Sequence, residues 1–182
     1  MRLFVGIAMP EAACEVLEDL QAELRVGRFA DPETFHLTLA FLGEVEGEAQ
    51  RELHEALERV EAPGFALRLT GLGTFGSKAP RVLWAGAAAS PDLLALHRAV
   101  GRAARRAGLD LARERFRPHV TLARFAPRMG AEDLERVRRY LETYAAAPLP
   151  EVAVGEITLY RSHLRPGGSV YEVLEVYPLG TG

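Results

Sequence analysis

The chain has 182 residues, of which 48% are hydrophobic and 26% charged, and its formal net charge is −3. This composition is typical of an ordinary globular protein, and the net negative charge argues against binding nucleic acid in bulk. No apolar run approaches the roughly 20 residues that a membrane-spanning helix needs. The single cysteine, Cys14, excludes an intrachain disulfide bond and a zinc site of the CxxC type.

The N-terminal segment Met1–Pro10 predicts a first strand. Its apolar stretch, about seven residues long, is too short for a signal peptide with a cleavage site. We therefore expect a cytoplasmic protein, a monomer with no membrane partner.

Apolar periodicity and turn residues predict an alternation of strands and helices. In chain order, the predicted elements are a strand Arg2–Ala8, a helix Glu11–Val26, a strand Phe35–Leu42, a helix Glu46–Glu61, strands Phe65–Phe75 and Arg81–Ala87, a helix Pro91–Ala107, a strand Phe116–Phe125, a helix after Gly130 to Tyr144, and strands Val152–Ser162 and Ser169–Tyr177. Ser90 is a preferred helix N-cap, and Pro91 suits the first helical position. The segment Pro166-Gly167-Gly168 predicts a turn between the last two strands.

These elements divide into two similar halves. Each half has the order β-α-β-α-β, and the second half adds one more strand. No segment is long or polar enough to act as a linker between independent domains, so we expect residues 1–182 to form a single two-lobed domain. The predicted class is α+β, with two pseudo-symmetric halves whose antiparallel-rich sheets face a central groove and whose helices lie outside.

One short motif, His-x-Thr-x, occurs in the middle strand of each half, as His36-Leu37-Thr38-Leu39 and as His119-Val120-Thr121-Leu122. Side chains alternate between the two faces of a strand, so each histidine shares a face with its threonine while the apolar residues point the other way. A lone His-x-Thr pair is more often a half-buried structural pair than a site. Two copies with matched flanks at equivalent points of the two halves favour a shared site.

The chemistry of the paired motifs suits a phosphate ester. Two imidazoles can supply an acid and a base near neutral pH. Two threonine hydroxyls can donate hydrogen bonds to phosphate oxygens. Zinc would usually take cysteine or carboxylate partners at short spacing, and neither motif contains them, so we expect no metal and no cofactor.

The chain resembles the 2H phosphoesterases, and within them it is most similar to the RNA 2′,3′-cyclic phosphodiesterases, formerly called 2′-5′ RNA ligases. The resemblance covers essentially the whole chain. Besides the two motifs, it rests on Arg2-Leu3-Phe4-Val5-Gly6-Ile7, Pro80-Arg81-Val82-Leu83-Trp84, Pro118 and Arg124 around the second motif, and Leu159-Tyr160-Arg161-Ser162 before a Gly-Gly turn and Tyr171.

The resemblance implies a role for each site residue. His36 would donate a proton to the leaving oxygen, His119 would accept a proton from water, and Thr38 and Thr121 would bind phosphate oxygens. The sequence itself does not distinguish the acid from the base. The resemblance also implies that Arg124 contacts the phosphate, although residue 124 lies at an odd offset from His119. A bulge or a strand end near Ala123 would be needed to turn Arg124 toward the groove.

The implied function is hydrolysis of RNA 2′,3′-cyclic phosphodiester ends to 2′-phosphomonoesters, with an RNA or oligonucleotide carrying such an end as the partner. A 2′-5′ RNA ligase or a nucleotide-level cyclic phosphodiesterase remains an alternative, and so does a non-catalytic module that binds RNA ends. The sequence gives neither the length nor the base preference of the substrate.

Other features of the sequence have simpler interpretations. The segment from residue 98 to residue 128 is strongly basic, which could serve phosphate recognition but is more often a solvated surface. Its nine arginines are at positions 98, 102, 105, 106, 113, 115, 117, 124 and 128. His54 and His97 lie in predicted helices and are expected at the surface or half-buried, and a structural role is favoured for His163. Phe4 and Trp84 are expected in the core more than as platforms for a base.

Overall fold

The structure, a computed structural model, describes residues 1–76, 78–112, 115–165 and 168–180. Within these ranges the chain forms strands β1 (Arg2–Ala8), β2 (Arg28–Phe29), β3 (His36–Glu44), β4 (Phe65–Phe75), β5 (Val82–Ala87), β6 (His119–Arg124), β7 (Glu151–Val154), β8 (Glu156–Arg165) and β9 (Gly168–Pro178). The helices are α1 (Glu11–Ala22), α2 (Gly47–Glu58), α3 (Pro91–Arg106) and α4 (Ala131–Tyr144), with a short 3-10 helix at Pro32–Thr34. The predicted α+β class is confirmed.

The strands form one antiparallel sheet in the order β7-β4-β5-β6-β3-β1-β8-β9, with β2 beside the end of β6. The order reveals an exchange between the two halves of the sequence. Strand β4 of the first half pairs with β5 of the second half, and β8 of the second half pairs with β1 of the first. Strands of the two halves therefore pair at three places in the sheet: β4 with β5, β6 with β3, and β1 with β8.

The two motif strands meet at the centre of this sheet. Strand β3 pairs with β6 through Leu37 opposite Val120, and both side chains are completely buried. Nearer the end of β6, Ala123 and Arg124 pair with Phe29 and Arg28 of β2. The face that carries Leu37 and Val120 belongs to the core, so the alternate residues of both strands lie on the opposite, open face.

The core consists mainly of leucines from the strands and from the inner faces of the helices. Leu17 of α1, Leu53 of α2, and Leu93 and Leu96 of α3 are all completely buried. Complete burial of such a side chain stabilises the fold by about 1.5–3 kcal/mol. The Ser90 hydroxyl accepts a hydrogen bond from the backbone N–H of Leu93 at 3.2 Å, so the predicted helix cap is confirmed. None of the described helices is long and apolar enough to cross a membrane.

Several elements differ from the sequence-based prediction: β2 and the 3-10 helix were not predicted, and α2 and β6 are shorter than expected. Helix α1 ends at Ala22 and not at Val26, because the chain turns there and leads through Gly27 into β2. The predicted strand Val152–Ser162 is two strands, because β7 pairs with β4 while β8 pairs with β1, on opposite sides of the sheet. Pro166 and Gly167 of the predicted turn lie outside the described residues, as does Arg113 of the basic segment.

Candidate active site

The pairing of the motif strands brings the two His-x-Thr motifs side by side. Because Leu37 lies opposite Val120 in an antiparallel pair, the same register sets His36 opposite Thr121 and Thr38 opposite His119. Side chains directly opposite each other have Cβ atoms about 4.5–5.5 Å apart, and diagonal neighbours are about 7–8 Å apart. All four side chains are half-buried on the open face. Each histidine therefore lies across from the threonine of the other motif.

Strand β6 contains the bulge that Arg124 requires. Thr121 lies opposite Trp84 and Ala123 opposite Leu83, so Leu122 has no residue opposite it on β5. The extra residue reverses the alternation, and the exposed Arg124 returns to the face of Thr121.

Strand β3 has the same irregularity at the equivalent place. Thr38 lies opposite Gly6 and Ala40 opposite Val5, so Leu39 is the extra residue. The position equivalent to Arg124 is then Phe41, whose side chain is 69% exposed. The two motifs therefore share their bulge as well as their histidine and threonine, but one ends in a cation and the other in an exposed aromatic ring.

A polar side chain from a helix holds each bulge in place. The Gln21 side-chain amide of α1 donates hydrogen bonds to the carbonyls of Leu122 and Ala30, both at 2.8 Å. His97 of α3 bonds through Nδ1 to the carbonyl of Leu39 at 2.8 Å. Each helix thus supports the motif strand of the other half of the sequence.

His36 lies in an aromatic environment. Its ring is 4.7 Å from the buried ring of Phe4 and 5.1 Å from Tyr171, which approaches at a right angle. Its Nδ1 is 2.7 Å from the carbonyl oxygen of Thr34. A carbonyl only accepts hydrogen bonds, so Nδ1 carries the hydrogen and Nε2 is left for a substrate.

The position of His36 also depends on Gly6 in the adjacent strand β1. A Cβ atom at residue 6 would lie 3.0 Å from the carbonyl oxygen of Leu37 and 3.4 Å from Cδ2 of His36. A side chain at this position would press against both the strand and the imidazole.

His119 repeats the arrangement of His36 with different neighbours. Its Nδ1 is 2.7 Å from the carbonyl oxygen of Arg117, so its Nε2 is free in the same way. The ring meets Phe75 edge to face at 4.8 Å. In both motifs, the carbonyl two residues before the histidine fixes the tautomer and the orientation of the ring.

Burial and nearby positive charge lower the pKa of both imidazoles. For His36, burial is the largest cause, and the charges of His119 and Arg124 lower the pKa further, against the hydrogen bond to Thr34. For His119, burial again comes first and Arg124 adds to it, against the hydrogen bond to Arg117. Because a charge on His119 lowers the pKa of His36, a pair with one charged and one neutral ring is favoured over a doubly charged pair.

The two threonine hydroxyls are open to a ligand. Within the ranges that the structure describes, neither Thr38 nor Thr121 hydrogen-bonds through its side chain to another protein group. Together with the free Nε2 atoms of His36 and His119 and the guanidinium of Arg124, they form a set of hydrogen-bonding and charged groups on one face of the sheet. Such a set can bind an anion with several oxygens and exchange protons with it.

The comparison with protein families decides where the chain belongs. The family model described as the 2′-5′ RNA ligase superfamily matches residues 9–166, which include both motifs and Arg124. The chain belongs to this superfamily.

Relatives in the superfamily match nearly the whole chain. A protein from Geobacillus stearothermophilus named RNA 2′,3′-cyclic phosphodiesterase is 32% identical over 97% of this chain and 56% of its own length, so the chain spans about half of that relative. A protein of the same name from Aquifex aeolicus is 30% identical over 99% of this chain and 98% of its own length. The crystal structure of E. coli LigT complexed with 3′-AMP superposes with a TM-score of 0.74 at 32% identity, covering 98% of this chain and 96% of that chain.

The other histidines are away from this cluster. His54 bonds to the hydroxyl of Tyr177 at 2.9 Å, and His163 pairs with Glu172 at 2.7 Å. His97 stacks on Phe116 at 3.9 Å in addition to its bond to the bulge of β3. In the described part of the chain, no group of three or more His, Cys, Asp or Glu side chains is placed to hold a metal ion.

The aromatic and basic residues singled out in the sequence are mostly structural or solvent-exposed. Phe4 is buried beneath His36, and the half-buried ring of Trp84 lies over Gly73, where a Cβ atom would come within 2.4 Å of it. The four arginines of α3, at positions 98, 102, 105 and 106, are exposed on the helix. Of the described basic segment, Arg124 is the residue whose charge acts on both histidines.

Gln21 and His97 were not predicted as functional residues. Gln21 had a detectable signal, since it continues the helical spacing of Ala13 and Leu17 and is buried like them, where an apolar residue is expected. The strand that each of these side chains contacts could not be predicted, because the packing of α1 and α3 on the sheet joins distant parts of the chain.

Replacing Gln21 with methionine is expected to destabilise the protein and loosen the bulge. The shape of the side chain is kept, but the part-buried carbonyl of Ala30 and the buried carbonyl of Leu122 both lose the Gln21 hydrogen bond, which costs about 1–3 kcal/mol in the free energy of unfolding. The Michaelis constant should rise as Arg124 loses its fixed position. Urea denaturation and steady-state kinetics measure the two effects, with Gln50→Met, at a half-buried position of α2, as the matched control. Equal stability of the two variants would contradict the role of Gln21.

Proposed function

We propose that the protein hydrolyses RNA 2′,3′-cyclic phosphodiester ends to 2′-phosphomonoesters. The observation that carries the proposal is the crossed arrangement of the two His-x-Thr pairs on one open face, with Arg124 beside them. The names of the relatives from G. stearothermophilus and A. aeolicus support the same activity. The same names support RNA as the substrate.

Hydrolysis consists of one displacement at phosphorus and two proton transfers. His119 acts as the base: its neutral Nε2 takes a proton from water, and the water oxygen forms a new bond to phosphorus. The bond between phosphorus and the 3′-oxygen breaks, and the protonated Nε2 of His36 gives its proton to that oxygen. The products are a 2′-phosphate and a free 3′-hydroxyl. Each positioned proton transfer contributes about 10²–10⁴-fold to the rate.

The remaining groups stabilise the negative charge that grows on the phosphate. The hydroxyls of Thr38 and Thr121 donate to non-bridging oxygens, and the guanidinium of Arg124 adds a positive charge. The charge of the bound phosphate also offsets the effect of Arg124 on the histidines. This favours protonation of His36 once the substrate is bound.

A second candidate activity uses the same residues. If a 5′-hydroxyl of another RNA takes the place of water, the displacement joins the two chains through a 2′-5′ linkage. The description of the superfamily as 2′-5′ RNA ligases supports this ligation as the second candidate activity. A nucleotide-level cyclic phosphodiesterase would perform the same hydrolysis on a mononucleotide, and a binding module would hold the RNA end without turnover.

The experiment that tests the proposal is hydrolysis of an oligoribonucleotide with a 2′,3′-cyclic phosphate end, measured in the presence of EDTA. The expected products carry only 2′-phosphate ends, resolved by chromatography against 2′- and 3′-phosphate standards. Loss of activity with EDTA and its return with zinc would contradict the two-histidine mechanism. Tight binding without turnover would favour the binding module.

The pH profile of kcat/KM is expected to be bell-shaped, with its maximum below about pH 6.5, the ordinary pKa of histidine. The reason is that burial and Arg124 lower the pKa of both rings in the free enzyme. Arg124→Gln removes a positive charge, so both pKa values rise and the bell moves to higher pH as its height falls. If the Arg124→Gln profile were lower but centred at the same pH, the charge of Arg124 would have no effect on the pKa of either histidine, and this prediction would be wrong.

We further propose that residues 1–182 act as one two-lobed domain, since strands of both halves alternate within one sheet. A monomeric state and a cytoplasmic location remain predictions from the sequence.

A further inference from the structure

A second arginine lies beside Arg124. Arg28 of β2 is directly opposite Arg124 of β6, so the two side chains leave the sheet on the same face. Like charges directly opposite each other destabilise a strand pair. Among the described residues, neither arginine forms an ion pair or a side-chain hydrogen bond with an acidic group. Such a pair is expected where an anion binds.

The backbone around Arg28 is held firmly in this position. Gly27 has a φ of +101°, and a Cβ atom there would lie 2.9 Å from the ring of Phe125 and 3.1 Å from the carbonyl oxygen of Arg124. A glycine is therefore needed for β2 to approach β6 so closely. On the other side of Arg28, the N–H of Ala30 bonds to the carbonyl of Leu122 at 2.9 Å, and Gln21 bonds to both residues.

The side chain of Arg28 reaches from β2 across to the start of β9. Three atoms of its guanidinium group lie 3.4–3.6 Å from the position that a Cβ atom of Gly168 would take. The charge of Arg124 lowers the pKa of both catalytic histidines, whereas Arg28 is not a cause of either shift. Arg28 therefore lies beside Arg124 at the end of β6, and its guanidinium group is close to the start of β9.

We propose that Arg28 binds the internucleotide phosphate that precedes the cyclic end, so that the site takes the end of an RNA chain in preference to a mononucleotide. This inference rests on the proposed function, in which Arg124 and the histidines surround the cyclic phosphate. The other anionic groups of an RNA substrate are its internucleotide phosphates, and the nearest one lies on the 5′ side of the terminal nucleotide. A guanidinium next to Arg124, on the neighbouring strand β2 and without an acidic partner among the described residues, is suited to that group.

The test compares two dinucleotides with the same bases and the same 2′,3′-cyclic end. One has an ordinary phosphodiester linkage, and the other has an uncharged methylphosphonate linkage. The expected wild-type kcat/KM is higher for the charged dinucleotide by about 10-fold to 100-fold, the range for a hydrogen bond to a charged group. In Arg28→Ala this ratio should fall close to one, and Arg28→Lys should keep part of it. Arg25→Ala, a change at an exposed arginine outside the site, should keep the wild-type ratio.

Equilibrium binding gives a readout that does not depend on turnover. The 2′-phosphorylated dinucleotide with the charged linkage should bind the wild type more tightly than its methylphosphonate counterpart, and Arg28→Ala should reduce the salt dependence of log K by about 0.7 per log unit of salt. The difference in affinity between the two dinucleotides does not depend on hydrolysis. If it were observed while neither cyclic dinucleotide was hydrolysed, the proposed function would be wrong and the role of Arg28 would be retained. A wild-type ratio near one, or an equal loss for both dinucleotides in Arg28→Ala, would overturn the proposal.

Discussion

Replacing His36 or His119 with alanine is expected to lower turnover of a 2′,3′-cyclic phosphate by about 10²–10⁴-fold in each case. Each substitution removes one of the two proton transfers, and water has to supply it without a fixed position. Both rings lie on the open face of the sheet, outside the leucine core, so the melting temperature should change little. Initial rates with a 2′,3′-cyclic mononucleotide and a thermal melt of each variant measure the two quantities.

His163→Ala is the matched control for these variants. His163 pairs with Glu172 on the β8–β9 hairpin and is not one of the proposed site residues, so its removal should leave turnover within a few-fold of the wild type. If His36→Ala or His119→Ala behaved like this control, the assignment of the proton transfers would be wrong.

Thr38→Val and Thr121→Val are expected to lower turnover by about 10²–10³-fold, the usual cost of one donor to a developing oxyanion. Valine keeps the shape and the strand propensity of threonine and removes only the hydroxyl. Both threonines are half-buried on the open face, and within the described residues their hydroxyls bond to no protein group. The loss should therefore appear in kcat, with little change in the free energy of unfolding.

Serine variants separate the two possible roles of these threonines. Thr38→Ser and Thr121→Ser keep the hydroxyl, so most of the turnover should remain, although some strand stability is lost. Near-normal turnover in the valine variants together with a large fall in melting temperature would assign the threonines to packing. The cyclic phosphate would then lack its proposed hydrogen-bond donors.

Features that depend on local sequence could be predicted. Strands β1 and β4 have the predicted bounds, and the Ser90 cap and the α+β class follow from local patterns. The repeated His-x-Thr motif identified the two strands that meet at the centre of the sheet. The alternation rule also showed that Arg124 could reach the open face only through a bulge or a strand end near Ala123, and a bulge is present at Leu122.

Features that depend on distant contacts could not be predicted. Gln21 supports the bulge of β6 across 101 residues of sequence, and no local pattern reports which strand lies beneath a helix. The exchange of β4 and β8 between the halves likewise follows from strand pairing and not from strand pattern. Strand β2 is only two residues long, too short for an alternation to be detected, and the position of Arg28 was missed with it.

The most direct test of the account is a crystal structure of the protein with a 2′-phosphorylated nucleotide bound. One phosphate group is expected between the two motifs, with Nε2 of His36 and Nε2 of His119 each about 2.6–3.2 Å from a phosphate or ribose oxygen. The hydroxyls of Thr38 and Thr121 should donate to its non-bridging oxygens. A phosphate bound by one histidine alone, or bound elsewhere on the surface while both imidazoles stay empty, would contradict the claim that the two motifs act on one phosphate.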